Sequence, residues 1–165
     1  MKIERVVIQL DRPRTVIFNM NAFYKLEKIY GSITKAFQAL THDPIKSLYY
    51  FIQCGIKGNL PIDDIELMIN LENRETITQK ILYAVSLALP NSDRKEEPTV
   101  KDEKWDWAWL YYAGTVLLNM DERAFWACTP NKLFSLLEVH KKYHCLDGQE
   151  SKSTQPPPGY IDQFI

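Results

Sequence analysis

The first twenty residues alternate between apolar and polar positions, which is the period of a β-strand. In KIERVVIQL the apolar residues Val6, Ile8 and Leu10 share one face, DRPR supplies a turn, and TVIFNM is a second β-rich run. This pattern predicts a β-hairpin with strands over residues 2–9 and 14–19.

Beyond the hairpin the apolar residues recur every three or four positions, which is the period of an α-helix. Gly31 and the Gly58-Asn59 pair favour helix ends, and residues 74–88 form a fifth helical stretch. The earlier helices are predicted from residues that favour helix N-termini: Asn19 or Asn21, Ser32, Asp43 before Pro44, and Asp63-Asp64 after Pro61.

The composition changes at residues 91–104. This stretch holds nine charged residues and a proline, and Val100 is its one large apolar residue. It cannot bury enough surface to offset its ordering entropy, so it predicts a linker. The predicted organisation is a hairpin plus helical domain (1–90), the charged linker (91–104), an aromatic-rich helical extension (105–146) and a Pro-rich tail (147–165). The fold class is mainly α with an N-terminal β-hairpin, in the α+β class.

The segment KWDWAWLYYAGTVLL predicts a helix that is aromatic on more than one side. Two further helices, at about residues 121–127 and 130–144, can cover only part of such a helix. We expect Trp105 and Trp109 to face the core, in one stripe with Tyr112 and Val116. Trp107 lies on another face and is the better candidate for a contact surface.

DERAFWACTP, residues 121–130, places a Phe-Trp pair between two helix starts. Asp121 favours an N-cap, and Thr129 followed by Pro130 favours another. The sequence predicts a corner that closes a small helical unit and offers Phe125 and Trp126 in part to a partner.

Charge and apolar run length limit the classes of partner. The net charge is −1, with +2 in residues 1–90 and −3 in residues 91–165, so neither half resembles a nucleic-acid-binding domain by charge. No run approaches the roughly 18 apolar residues that span a bilayer. Three cysteines without an export signal predict reduced thiols and a cytoplasmic location. The Trp and Tyr content leaves open an alternative, a small nucleic-acid-associated regulator whose aromatic residues stack on bases.

The sequence carries no Gly-rich phosphate loop and no nucleophile elbow, so we expect no cofactor and no enzymatic activity. His140 and His144 are four residues apart, with Cys145 adjacent and Cys128 upstream, which leaves a metal-binding protein as a second alternative. The other interpretation is a helix C-terminus where His and Lys interact favourably with the dipole.

The segment SKSTQPPPGYIDQFI is polar and Pro-rich until its apolar end. One interpretation is a frayed terminus. The other is a tethered linear motif that docks through Tyr160, Ile161 and Phe164.

Two parts of the chain together resemble a known family. FNMNAFYKLEKIYGSITKAFQAL, followed by SLYYFIQCGI and PIDDIELMI, resembles the N-terminal domain of the tail assembly chaperones of long-tailed bacteriophages and prophages. WDWAWLYYAGTVLLNMDERAFWACTPNKLFSLLEVH resembles the C-terminal extension of the long form of these chaperones. The resemblance covers roughly residues 15–145, and neither part is a catalytic signature.

The resemblance implies a non-enzymatic function. Such a chaperone binds the tape measure protein, keeps it soluble, recruits the major tail tube protein, and leaves before the virion is mature, so the location implied is the cytoplasm of the bacterial host. Residues 15–90 would contact the tape measure protein, and the Trp-rich extension would help to recruit the tube protein. The surplus aromatic surface also predicts self-association. The candidate protein-binding residues are Phe23, Tyr24, Tyr49, Tyr50, Trp105, Trp107, Trp109, Phe125, Trp126, Tyr160, Ile161 and Phe164.

Overall fold

The structure, a computed structural model, describes residues 5–90 and 104–144. Within these residues it is mainly helical with an N-terminal antiparallel hairpin, which confirms the predicted fold class. The elements are β1 (Val6–Gln9), β2 (Pro13–Val16), α1 (Met20–Tyr30), α2 (Ile33–His42), α3 (Pro44–Gly55), α4 (Ile62–Met68), α5 (Arg74–Ala88), α6 (Trp107–Tyr112), a π-helical turn (Ala113–Leu117), α7 (Glu122–Ala127) and α8 (Pro130–His144).

The second hairpin strand ends at Val16 rather than at the predicted residue 19, because the chain changes its pairing partner there. Val6 is paired with Val16 at one end of the ladder and Gln9 with Pro13 at the other. Val16 also forms a bridge with Ile56, and Ile17 N donates to the Gly55 carbonyl at 2.8 Å. The chain beyond β2 therefore pairs with the end of α3. The predicted strand residues 2–4 lie outside the described residues.

The predicted N-caps of the first three helices are confirmed. The side chains of Asn19, Ser32 and Asp43 accept hydrogen bonds from the backbone three residues ahead, at 2.9, 3.1 and 3.4 Å. Gly31 ends α1 with φ of 87°, which glycine adopts more readily than other residues. Asn19 rather than Asn21 is thus the cap of α1.

The predicted end of α3 at Gly58-Asn59 is wrong by three residues, since the helix ends at Gly55. A Cβ at Gly55 would lie 2.9 Å from Val16 Cγ1 and 3.0 Å from Phe18 Cζ. The strand and the helix can approach this closely only because the residue is glycine.

A large core lies between the hairpin and helices α1 to α5. Phe18 is at its centre, with ring centroids 6.0 Å from Phe23 and 5.9 Å from Phe51. Ile52 and Ile81 are also fully buried there, so α3 and α5 both contribute to one apolar interior.

A second, smaller core lies among the C-terminal helices. The π-helical turn, in which Leu118 N donates to the Ala113 carbonyl at 3.1 Å, brings Gly114 against the ring of Phe125. A Cβ at Gly114 would collide with that ring, so the residue must be small. The buried members of this core are Met20, Leu110, Ala113, Phe125, Cys128, Leu133 and Leu137.

The predicted corner in DERAFWACTP is confirmed in its local geometry. Asp121 caps α7 by accepting from Ala124 N at 2.9 Å. Thr129 Oγ1 accepts from Lys132 N at 3.3 Å, and Pro130 is the first residue of α8.

Candidate protein-binding surface

A seam of aromatic rings, hereafter the aromatic seam, joins α1 to the C-terminal helices. The Phe23 and Trp105 rings stack at 5.3 Å, and Tyr24 meets Trp107 edge-on at 5.1 Å. Trp126 of α7 lies 5.5 Å from Tyr24. Aromatic pairs in this distance range stabilise one another beyond the area that they bury. The members of the aromatic seam are Phe23, Tyr24, Trp105, Trp107, Tyr111, Phe125 and Trp126.

Glu27 connects the two parts of the chain by hydrogen bonds. It is a carboxylate on α1 that is only 8% exposed. It accepts from Trp105 N at 3.2 Å and from the Trp107 indole Nε1 at 3.0 Å. A buried polar group needs such partners, so this residue fixes where the chain enters α6.

Met20 connects them by packing. Its side chain is fully buried in the C-terminal core although it lies at the start of α1. Its backbone N donates to the Cys128 carbonyl at 2.8 Å. The C-terminal helices are therefore packed onto α1 in this structure. The linker residues 91–103 and the tail residues 145–165 lie outside the described residues.

The structure places several of the predicted contact residues in the interior. Phe23 and Phe125 are fully buried and Tyr49 is 9% exposed, so these candidates are not surface residues in this structure, and the expected partial exposure of Phe125 is wrong. Phe23 of α1 and Tyr49 of α3 lie in the N-terminal core, and Phe125 of α7 lies in the C-terminal core.

The predicted orientation of the Trp-rich helix is reversed for two residues. Trp109 was expected to face the core, yet it is 45% exposed. Trp107 was expected to be the outward ring, yet it is partly buried in the aromatic seam and hydrogen-bonded to Glu27. Helix α6 has this orientation because the Trp107 indole N–H donates to Glu27 on α1, which lies eighty residues earlier in the chain.

The remaining candidates are half-buried. Tyr24 and Trp126 show one edge at the aromatic seam, with Lys28 Nζ 5.1 Å from the Tyr24 ring centroid. Tyr50 lies edge-on to Tyr30 at 6.0 Å. Trp105 is half-buried between Phe23 and Trp107. The tail candidates Tyr160, Ile161 and Phe164 lie outside the described residues.

Two rows of large apolar side chains, hereafter the outer rows, remain exposed on the C-terminal helices. One row runs from α6 into the π-helical turn and consists of Trp109, Tyr112 and Val116. The other lies on α8 and consists of Leu136, Val139 and Tyr143. Both rows have spacings of three and four residues, which place side chains along one side of a helix.

The α8 row was missed by sequence reasoning. In the sequence, α8 has apolar residues at helical spacing on two sides, one with this row and one with the buried Leu133 and Leu137. Spacing alone does not tell which of the two sides faces inward. Leu67 and Leu71, which are 85% and 83% exposed around the end of α4, were missed for the same reason.

The described residues include both histidines named in the metal alternative. The His140 and His144 rings lie 4.1 Å apart on α8, but no group of three metal-ligating side chains occurs within residues 5–90 and 104–144. Cys145 lies outside them.

The two described cysteines are unsuited to act as nucleophiles. Burial raises the pKa of the Cys54 thiol to about 11, and burial also raises the pKa of Cys128. Both therefore stay protonated near neutral pH, and the thiolate is the reactive form.

Comparison with known proteins identifies no relative: neither protein families, nor curated proteins, nor solved structures give a significant match to this chain. None of the described helices is both long and apolar enough to cross a membrane.

Proposed function

We propose that this protein is a non-enzymatic tail assembly chaperone that binds the tape measure protein, keeps it soluble and recruits the major tail tube protein. It would act in the cytoplasm of the bacterial host and be absent from the mature virion. The observation that carries the proposal is the outer row Trp109, Tyr112 and Val116, whose large side chains are 45%, 50% and 60% exposed.

The outer rows have the chemistry that reversible binding to an apolar polypeptide requires. Exposed apolar groups clustered on one region mark interaction sites, and Trp and Tyr dominate the energetics of protein interfaces. The second row, on α8, offers Leu136 and Val139, which fit an aliphatic helix face.

The packing against α1 gives these rows a rigid support. The aromatic seam and the hydrogen bonds that Glu27 accepts from Trp105 and Trp107 hold α6 in one orientation, so the outer row on α6 is presented without being ordered first. A preorganised surface loses less conformational entropy on binding. We thus assign binding of the tape measure protein to the outer rows rather than to residues 15–90, which the family resemblance implies, because the candidate rings Phe23 and Tyr49 in those residues are buried.

The test is co-expression of the full chain with the tape measure protein of its own phage or prophage. We expect the chain to raise the soluble fraction of that protein, to co-purify with it, and to capture tube protein as well. The double variant Trp109→Ser/Val116→Ser should lose most of this effect while keeping its circular dichroism spectrum.

Leu71→Ser supplies the matched control, because Leu71, in the turn after α4, is even more exposed but is not a member of the outer rows. It should behave as the wild type. If the wild-type chain does not change the soluble fraction of the tape measure protein, the proposed function is ruled out. Equal losses in the double variant and in Leu71→Ser would remove the outer row as its site.

A further inference from the structure

A cavity of about 570 Å³ lies beside the start of α1. Thr15 of β2 and Ile17, which follows that strand, line one part of it, and residues 54–58 line another. Asn21 and Lys25, one turn apart on α1, and Ala127 at the end of α7 also line it. Its volume falls within the range of about 300–1,000 Å³ that is typical of small-molecule sites.

The charge of the lining is of one sign. Arg5, Lys25 and Lys57 line the cavity, and none of the described lining residues is Asp or Glu. None of these three cations forms an ion pair with a described carboxylate; the ion pairs among the described residues involve Asp11 with Arg12 and Arg14. All three cations are exposed to solvent, and together they give the concave surface a positive potential that salt partly screens.

The neutral lining groups add to the same preference. The cavity lies at the N-terminus of an eleven-residue helix, where the dipole is positive. The Asn21 amide and the Thr15 hydroxyl supply hydrogen-bond donors, while Ile17 and Ile56 supply apolar surface. This mixture suits a molecule that has an anionic group and a carbon skeleton.

From these features we infer that the cavity binds a small organic anion, a carboxylate or a phosphate monoester. The inference is independent of the proposed chaperone function, because none of the outer-row residues lines the cavity. A ligand in the cavity would contact both parts of the chain, because Ala127, the last residue of α7, lines the cavity together with residues of α1 and α3.

The experiment is titration of the full 15N-labelled chain, followed by amide chemical shifts, with citrate, glucose 6-phosphate and inorganic phosphate at constant physiological ionic strength. Glucose is the neutral control. Gly55 and Gly58 line the cavity, and their amides report on binding there. We expect saturable shifts with citrate or glucose 6-phosphate at dissociation constants of about 1 mM or below, at least about tenfold tighter than for inorganic phosphate.

Lys25→Gln and Lys57→Gln should each weaken binding about tenfold. Both lysines are exposed, so the fold should be kept, and the dispersion of the remaining amide shifts checks this. Lys46→Gln is the matched control, since Lys46 is an exposed lysine of α3 that does not line the cavity.

Three outcomes would overturn the inference. The first is the absence of saturable shifts with both organic anions up to about 10 mM. The second is binding of inorganic phosphate as tight as that of the organic anions, which would mark an inorganic ion site. The third is equal weakening by Lys46→Gln, which would mark a non-specific charge effect.

Discussion

The two cores of this protein differ in where their residues come from. The N-terminal core around Phe18 and Phe51 is built from the hairpin and helices α1 to α5, which follow one another in the chain. The C-terminal core around Phe125 and Leu133 is small and includes Met20, which lies about a hundred residues earlier in the chain. Helices α6 to α8 therefore depend on α1 to complete their interior.

The difference explains why one region is rich in exposed aromatic residues. The C-terminal helices bury one side through contacts of α7 with α1 and of α8 with α5, and among the described residues few further elements cover the other side. A helix that is apolar on more than one side then leaves one of its rows in solvent. The packing that stabilises this region thus also creates the surface that we assign to partner binding.

The largest effect is expected from Met20→Ala, which removes the N-terminal contribution to the C-terminal core. Truncation of a fully buried Met should cost about 2–5 kcal/mol in the free energy of unfolding. Urea unfolding measures this loss, and amide hydrogen exchange should show that residues 130–144 lose protection before residues 44–55.

Ile29→Ala is the control on the same helix, because Ile29 is 42% exposed and belongs to neither core. It should change the free energy of unfolding by no more than about 0.5 kcal/mol. If Met20→Ala were no worse than this control, the two cores would be independent of each other.

A smaller effect is expected at Glu27. Glu27→Ala leaves the Trp105 backbone N–H and the Trp107 indole without their acceptor, at a cost of about 1–3 kcal/mol in the free energy of unfolding. The tryptophan emission maximum should shift to longer wavelength as Trp107 gains water.

Glu27→Gln keeps one accepting oxygen and should lose less than half as much. An unchanged urea midpoint and an unchanged emission maximum in Glu27→Ala would contradict the role of this carboxylate in holding α6.

The smallest effect concerns the two buried thiols, one in each core. Alkylation by iodoacetamide at pH 8 should be slow at both, because burial raises the pKa of Cys54 to about 11 and also raises that of Cys128. Cys128 should react faster, since the smaller core opens locally at lower cost. Mass spectrometry of the alkylated peptides separates the two rates.

Met20→Ala should accelerate the alkylation of Cys128 and leave that of Cys54 nearly unchanged. Faster alkylation of Cys54 than of Cys128 would reverse the proposed order of stability.

The raised pKa of Cys54 also affects the free energy of unfolding. The folded state holds the proton of the Cys54 thiol more tightly than the unfolded state does. The stabilisation from this thiol is therefore present below pH 9 and is lost as the pH rises through about 11.

The parts of the fold that depend on local chemistry were predictable. Four helices begin where a short polar side chain accepts a hydrogen bond from the backbone N–H three residues ahead. These N-cap residues are Asn19, Ser32, Asp43 and Asp121. Residues 74–88 were predicted as a helix and form α5 with the same bounds.

The parts that depend on distant partners were not predictable. The orientation of Trp107 depends on Glu27, and nothing near either residue in the sequence indicates this pairing. The burial of Phe125 depends on the close approach of Gly114 through a π-helical turn, which the regular period of a helix does not anticipate. For that reason exposed aromatic residues on the C-terminal helices were predictable, while the inward Trp107 and the outward Trp109 were exchanged.

The most direct test of the central claim, that the outer rows bind the partner while the aromatic seam stays internal, is hydrogen exchange of the chain alone and in complex with the tape measure protein. We predict added protection in residues 107–117 and 130–144, and none in residues 67–71, where Leu67 and Leu71 are exposed but lie outside the outer rows. Protection confined to residues 5–90, with residues 107–117 and 130–144 unchanged, would contradict the account.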